Sequence, residues 1–483
     1  MRGWLWALLL GVSGAGFFPA MGCGGDETGA GGAGAAPGAT VGSSSTVASS
    51  SSGSVSDGND TFETAEPVSV DTSYDGDLSP TGDVDVYKLS GTKKQALYIA
   101  TKAQGPDFAF DPETINTVIT LHGADGVQIA ANNDRSPLRS RDSELFTILP
   151  SDGVYFIKVW ECSTWTKFPN VHCGEGADSP DKVNTSYTLT IFEVPSKADG
   201  TSKDAEDPSG PTPLTYNPEP NGGYFLSLVW GEFKDQSDVD SFVFTPPADA
   251  VKSGEGRRTH ANFYILPSGL HGNGSTTPPG RVWITDPNAP DPTKAIAAVF
   301  GPNYQEPAEL TPPLPLGQQY QIWIEHPDGP AGANDFYFVL HSLGWGNLLE
   351  KDDAGNDAPA TAEVLTASPT EPTSYYIEGD LDLSKQPNPD VDHFKAAVKG
   401  KKVNFACGAL RDGSGLVDLK VDLLHGMTLI TSMTELVKED AVSEIVGVPS
   451  GATDLVLKVS AESQAPDIAS SFYRCGLHFY DTE

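Results

Sequence analysis

Beyond residue 60, large apolar residues recur at every second position in short runs. Val118-Ile119-Thr120-Leu121-His122, Val154-Tyr155-Phe156-Ile157-Lys158-Val159 and Tyr187-Thr188-Leu189-Thr190-Ile191 follow one another, with turn residues such as Asp152-Gly153 between them. A period of two is the pattern of strands with one buried face. The same succession returns as Arg281-Val282-Trp283-Ile284, Tyr320-Gln321-Ile322-Trp323-Ile324 and Phe336-Tyr337-Phe338-Val339-Leu340. A third round runs through Val417-Asp418-Leu419-Lys420-Val421-Asp422-Leu423, Leu455-Val456-Leu457-Lys458-Val459 and Phe472-Tyr473-Arg474-Cys475. Roughly seven or eight short strands per ~130 residues predict an all-β chain of sandwich or jelly-roll modules.

The repetition is explicit in the residues. Gly82-Asp83-Val84-Asp85-Val86-Tyr87, Ser237-Asp238-Val239-Asp240-Ser241-Phe242 and Pro389-Asp390-Val391-Asp392-His393-Phe394 lie 155 and 152 residues apart. Each follows a glycine-acid-apolar triplet: Gly76-Asp77-Leu78, Gly231-Glu232-Phe233 and Gly379-Asp380-Leu381. Gly58-Asn59-Asp60 with Thr64-Ala65-Glu66 is repeated as Gly355-Asn356-Asp357 with Thr361-Ala362-Glu363. A fixed period is the mark of tandem units. The expectation is three tandem jelly-roll-like β-sandwich domains at 59–195, 204–344 and 350–483, the middle one divergent. The Pro-, Gly- and Asp-rich linkers near 195–213 and 344–358 predict limited mutual packing.

Composition sharpens this picture. The net charge of −35 is spread along the chain, which disfavours a nucleic-acid partner by repulsion and favours solubility and cation binding. At the N-terminus, Arg2 precedes an apolar stretch from Trp4 to about Phe18 and then Ala20-Met21-Gly22-Cys23, an export signal over 1–22. Small residues ahead of the cysteine resemble the lipobox of bacterial lipoproteins. That resemblance implies a lipid anchor on Cys23, and Gly24 after it resembles the pattern sorted to the outer membrane. The alternative is an ordinary secretory signal with Cys23 as a spare thiol. Residues 23–58 form a Gly/Ala/Ser/Thr tether that cannot bury a core. As a flexible coil it would span about 30–35 Å. If Cys23 is lipidated, the other four cysteines divide by proximity or repeat membership into Cys162 with Cys173 and Cys407 with Cys475, a parity suited to an oxidising compartment.

The Asn-Asp opening, the Gly-Asp-Val-Asp-aromatic strand, the Leu121–Gly126 hairpin, Asn132-Asn133-Asp134 and the Gly153-Val154-Tyr155 strand together resemble the bacterial pre-peptidase C-terminal domain. The third copy has His425-Gly426 in place of the hairpin Asp-Gly, and the second keeps chiefly the Asp-Val-Asp strand. The resemblance implies a jelly-roll-like sandwich, appended to secreted hydrolases and serving adhesion or secretion rather than cleavage.

On its strand Asp85 shares a face with Tyr87, so it points inward at the sandwich rim, as do Asp240 and Asp392. A buried carboxylate must be satisfied by donors or by a cation. One reading is a cap on loop amides. The other is calcium, held by Asn59, Asp60, Asp83 and Asp85 in the first copy and by Asp352, Asn356, Asp357, Asp390 and Asp392 in the third, with Glu350 and Asp353 nearby. Modules of secreted collagenases resemble this arrangement, and the third copy is the better candidate.

The loop between Cys162 and Cys173 carries Trp165 and Phe168, which either grip a sugar or polypeptide or cover a sheet edge. Trp230, Trp283 and Trp323 read as core. No His-Glu-x-x-His helix, Gly-x-Ser-x-Gly elbow or phosphate loop is present in the sequence, so catalytic residues are expected to be none. The expected function is a non-catalytic, membrane-anchored array of binding modules for extracellular polysaccharide or protein, with calcium its one candidate cofactor. The rival is a hydrolase of unrecognised type with its site in the middle copy.

Overall fold

The computed structural model describes residues 58–103, 114–133, 142–165, 182–194, 212–214, 216–218, 224–226, 229–233, 238–248, 257–265, 274–275, 280–289, 291–300, 308–326, 335–351, 355–369, 371–384, 389–435, 441–443 and 445–481. Cys23, Phe168, Cys173, Asp352 and Asp353 lie outside them, as do the expected signal peptide and nearly all of the tether.

The chain is all-β, built of sandwich-like layers. Three five-stranded sheets share one topology. In the first, Glu66–Val68 pairs in parallel with the aspartate strand Val84–Gly91, followed by Gly153–Glu161, Thr117–Gly123 and Gln128–Asn132. The second runs Thr212–Pro213, Val239–Phe244, Tyr320–Glu325, Arg281–Thr285 and Ala295–Phe300. The third runs Glu363–Val364, Asp392–Ala397, Asp454–Ser460, Lys420–His425 and Thr428–Thr434. The sequence repeat is thus a repeat of strand order. The hairpin glycines Gly126 and Gly426, at φ +77° and +61°, occupy the left-handed conformation that glycine adopts at little cost.

Alternation decides which side chains are buried. Tyr155, Ile157 and Val159 enter one apolar cluster with Tyr87, Leu89, Leu189 and Ile191. Ile322, Ile324, Val282 and Ile284 enter a second with Phe242, Phe244 and Phe263. Leu455, Leu457 and Val459 enter a third with Phe394, Phe405, Tyr473 and Leu477. A four-stranded sheet (Thr72–Asp77, Ser186–Glu193, Ala96–Lys102, Glu144–Ile148) closes the first core.

An eleven-stranded sheet closes the other two, contrary to the expected loose linkage. Strand Phe336–Leu349 pairs along its length with Arg257–Ile265, then passes the expected boundary at 344 and pairs in parallel with Ser374–Asp380 of the third copy, Leu348 opposite Ile377. The first and second copies also meet face to face. Tyr98, Phe146 and Ile148 pack on Trp230, Phe336 and Phe338 in a separate buried cluster. The physical reason is legible in Phe336-Tyr337-Phe338-Val339, where Tyr337 and Val339 fill the second core while Phe336 and Phe338 are buried on the opposite face. A strand apolar on both faces is a strand covered on both faces.

Candidate functional site: repeated aspartates and outward aromatic faces

The repeated aspartate is an interior anchor in every copy. The Tyr187 hydroxyl donates to Asp85, Tyr337 to Asp240 at 2.5 Å and Tyr473 to Asp392 at 2.6 Å. Each tyrosine stands opposite the glycine of the repeated triplet in the strand ladder: Gly76 with Tyr187, Gly231 with Tyr337, Gly379 with Tyr473. A Cβ at any of these glycines would collide with the tyrosine ring or hydroxyl. The absent side chain is what lets the ring fold across its partner to reach the carboxylate. Burial first, and then the neighbouring negative charge, push all three hydroxyls well above the ordinary tyrosine range; at Tyr187 the neighbouring Tyr87 ranks ahead of Asp85. Each aspartate accepts a core hydroxyl.

The flanking residues are placed by backbone hydrogen bonds. The Asn59 carbonyl accepts Val86 N–H at 3.0 Å, and the Asn356 carbonyl accepts both His393 N–H at 3.0 Å and His393 Nδ1–H at 3.1 Å, so each opening segment lies on its aspartate strand. Asp83 accepts its neighbour's Val84 N–H at 3.0 Å, and Asp390 accepts Asp382 N–H at 2.9 Å. Asp60 and Asp357 are exposed. Among the described residues, no three His, Cys, Asp or Glu side chains gather as a metal site. The copies differ in one respect relevant to a cation. Tyr87 and Tyr187 share a 2.8 Å hydrogen bond in the first copy, whereas in the third a second carboxylate, Glu350, lies 3.2 Å from the Tyr473 hydroxyl. Both carboxylates face the one hydroxyl, and the Arg258 guanidinium also acts on Glu350.

Cys407 and Cys475 form a disulfide between facing positions of adjacent strands. Cys162 is disulfide-bonded as well. Trp165 does not offer a platform: it is buried with Cys162, Val118 and Ala131, with Trp160 packed against them. The tryptophans expected in the core divide. Trp230 is buried between copies, whereas Trp283 and Trp323 are half-buried on the face opposite the second core, because Val282, Ile284, Ile322 and Ile324 occupy the inward positions of those strands, and Trp283 packs there against Ala295, Ala298 and the third copy's Ile468.

There they form a ladder. Trp283 and Trp323 are direct cross-strand partners with nearly parallel rings, 8° apart and 6.0 Å between centroids. The Arg281 guanidinium lies 4.9 Å above Trp283 and pairs with Asp467 at 2.9 Å. Trp323 Nε1–H donates to Thr285 at 3.0 Å, which fixes its ring. The corresponding face of the first copy carries Phe62 at 4.4 Å from Phe156, with Lys158 4.4 Å above Phe62 and 5.4 Å from Trp160. Sequence reading missed both faces; the signal was parity, since an aromatic out of phase with the core residues of its strand must face outward.

No family model matches the chain. No curated protein matches it. Among solved structures, the pre-peptidase C-terminal domain of a Bacillus anthracis collagenase aligns at 15% identity over 26% of this chain and 93% of its own, TM-score 0.18. Tandem CBM51 modules of a Streptococcus pneumoniae family 98 glycoside hydrolase align at 10% identity over 53% of this chain and 84% of theirs, TM-score 0.15. A Paenibacillus xanthan lyase aligns at 10% identity over 83% of this chain and 33% of its own, TM-score 0.18.

Proposed function

We propose that this chain is an exported lipoprotein, anchored through Cys23 to the bacterial outer membrane, that displays three tandem non-catalytic modules whose outward faces bind extracellular polymer, polysaccharide above all. The observation carrying the reading is the Arg281–Trp283–Trp323 ladder. Flat aromatic rings set beside a guanidinium and a carboxylate on a sheet face offer an apolar surface to sugar C–H groups and hydrogen-bonding groups to hydroxyls.

Affinity electrophoresis through gels containing neutral or acidic polysaccharides tests it. Retardation should fall by about tenfold or more in apparent affinity on Trp323→Ala, the loss expected of a central aromatic anchor, and survive Trp165→Phe. Retardation unchanged in Trp323→Ala, Trp283→Ala and their combination would remove the polymer reading. Labelling with radioactive palmitate, abolished by Cys23→Ala, tests the anchor separately.

Calcium enters the proposal at the third copy, where Asn356, Asp357, Asp390 and Asp392 with Asp352 supply oxygen donors and Glu350 adds the carboxylate beside Tyr473. Calcium should raise the melting temperature of the full chain, and Asp390→Ala should abolish that rise. A melting temperature indifferent to calcium would leave those residues a purely protein-internal role.

A further inference from the structure

The indole face of the second copy is bordered by the third. Residues 467–470 run beside the edge strand Ala295–Phe300 and are strapped to it through the backbone. Ala295 N–H donates to the Asp467 carbonyl at 3.1 Å, Ala469 N–H to the Ala295 carbonyl at 2.7 Å, and Ser470 N–H to the Ile296 carbonyl at 3.2 Å. Ala295, Ala298 and Ile468 are buried together, with Trp283 packed against them. A backbone held in this way presents its side chains already in position, which spares a ligand the cost of ordering them. Asp467 is thereby set beside the indoles, its side chain 51% exposed and 2.9 Å from the Arg281 guanidinium that lies over Trp283.

Parity along the strands identifies the other charges of the face. Glu325 stands directly opposite Arg281, and both share the side of the sheet that carries Trp283 and Trp323. Among the outward positions of the five strands of this sheet, Arg281 and Glu325 are the charged residues, and Asp467 is the one that residues 465–470 add. One guanidinium therefore faces two carboxylates and is already paired with one of them. An acidic polysaccharide would bring further negative charge to this rim, on a chain whose own net charge is −35. A neutral sugar chain needs a flat apolar surface for its rings and hydrogen-bonding groups at their edges. The parallel indoles, 6.0 Å apart, supply the surface. Asp467 accepts from hydroxyls and Arg281 donates to them.

Resting on the polymer-binding reading above, we propose that the second and third copies together form one site selective for neutral polysaccharide. Trp283 and Trp323 stack on the sugar rings, and the third copy's Asp467 accepts hydrogen bonds from their hydroxyls. The site is incomplete in the second copy alone.

Affinity electrophoresis of the full chain tests this. Hydroxyethylcellulose, galactomannan and a β-1,3-glucan serve as neutral probes, polygalacturonate and alginate as acidic ones, and a polymer-free gel as the mobility reference. Wild type should be retarded in at least one neutral gel and in neither acidic gel. Asp467→Ala should lose about tenfold in apparent affinity for that neutral polymer, the loss expected on removing a charged hydrogen-bond acceptor, at an unchanged melting temperature. Asp467→Asn, whose amide oxygen still accepts from a hydroxyl, should recover most of it. Retardation by the acidic polymers alone overturns the proposal. So does neutral retardation that Trp323→Ala abolishes and Asp467→Ala leaves intact. In both cases the polymer-binding reading stands, whereas retardation in no gel overturns the two together.

Discussion

The Tyr473 hydroxyl donates to Asp392 at 2.6 Å while the tyrosine's own cross-strand partner, Gly379, leaves the space that its ring crosses. The repeated glycine, aspartate and terminal-strand tyrosine are one device used three times. Tyr473→Phe should cost about 1–3 kcal/mol, the range for depriving a buried acceptor of its donor. Gly379→Ala should cost a similar amount through overlap with a ring held in the core. The double variant should lose less than the two single losses combined, since both changes disrupt one anchor. Denaturant unfolding of the three proteins measures this.

Alkaline pH should unfold the protein through the same three hydroxyls. Their burial, reinforced by adjacent negative charge, raises them in the folded state, so the native chain keeps protons that the unfolded chain gives up. The stability they contribute is complete below about pH 10 and is lost as the pH rises above it. These three groups contribute about 4 kcal/mol per pH unit to the slope, and each Tyr→Phe replacement should lower it by about 1.4 kcal/mol per pH unit. Stability followed by circular dichroism from pH 9 to 12 provides the check.

Removal of the Cys407–Cys475 disulfide should weaken the third copy selectively. Cys407 and Cys475 are separated by 68 residues, and closing a loop of that length restricts the unfolded chain by about 4 kcal/mol. Calorimetry of the Cys407→Ser, Cys475→Ser double variant should show one transition lowered and the first copy's transition retained.

The contact between the first and second copies should depend on Phe338, which is wholly buried and lies 5.4 Å from Phe146 across the interface. Phe338→Ala should cost about 3–5 kcal/mol and make the chain between the two copies cleavable by proteases that leave the wild type intact. Timed proteolysis with mass analysis of the fragments reads the outcome.

Alternation and the recurring Asp-Val-Asp revealed the strands, their order and the inward aspartates, because those signals are local. The tyrosine partners were not legible: they lie 81 to 102 residues downstream, in strands whose Tyr187-Thr188-Leu189 or Tyr473-Arg474-Cys475 reads like any other half-buried run. Trp283 and Trp323 lie away from the second core because parity along the strand, not ring size, decides which side chains point inward. The union of the second and third copies escaped notice for a different reason. His260, Glu378 and Arg474 are single polar residues in otherwise ordinary strands, and only the fold brings His260 to Glu378 and Arg474 to Thr311 across the junction.

Because strand Phe336–Leu349 belongs to the sheet of two copies at once, the aromatic face of the second is held at a set distance from the third instead of swinging on a linker. With the first copy packed against the second, a long-chain ligand bound as proposed would find the next face at a fixed spacing and thus at a high effective concentration, provided its own repeat matched that spacing. Under that proposal, chain length and persistence of the polymer, as much as the chemistry of its individual units, would govern how tightly it is retained.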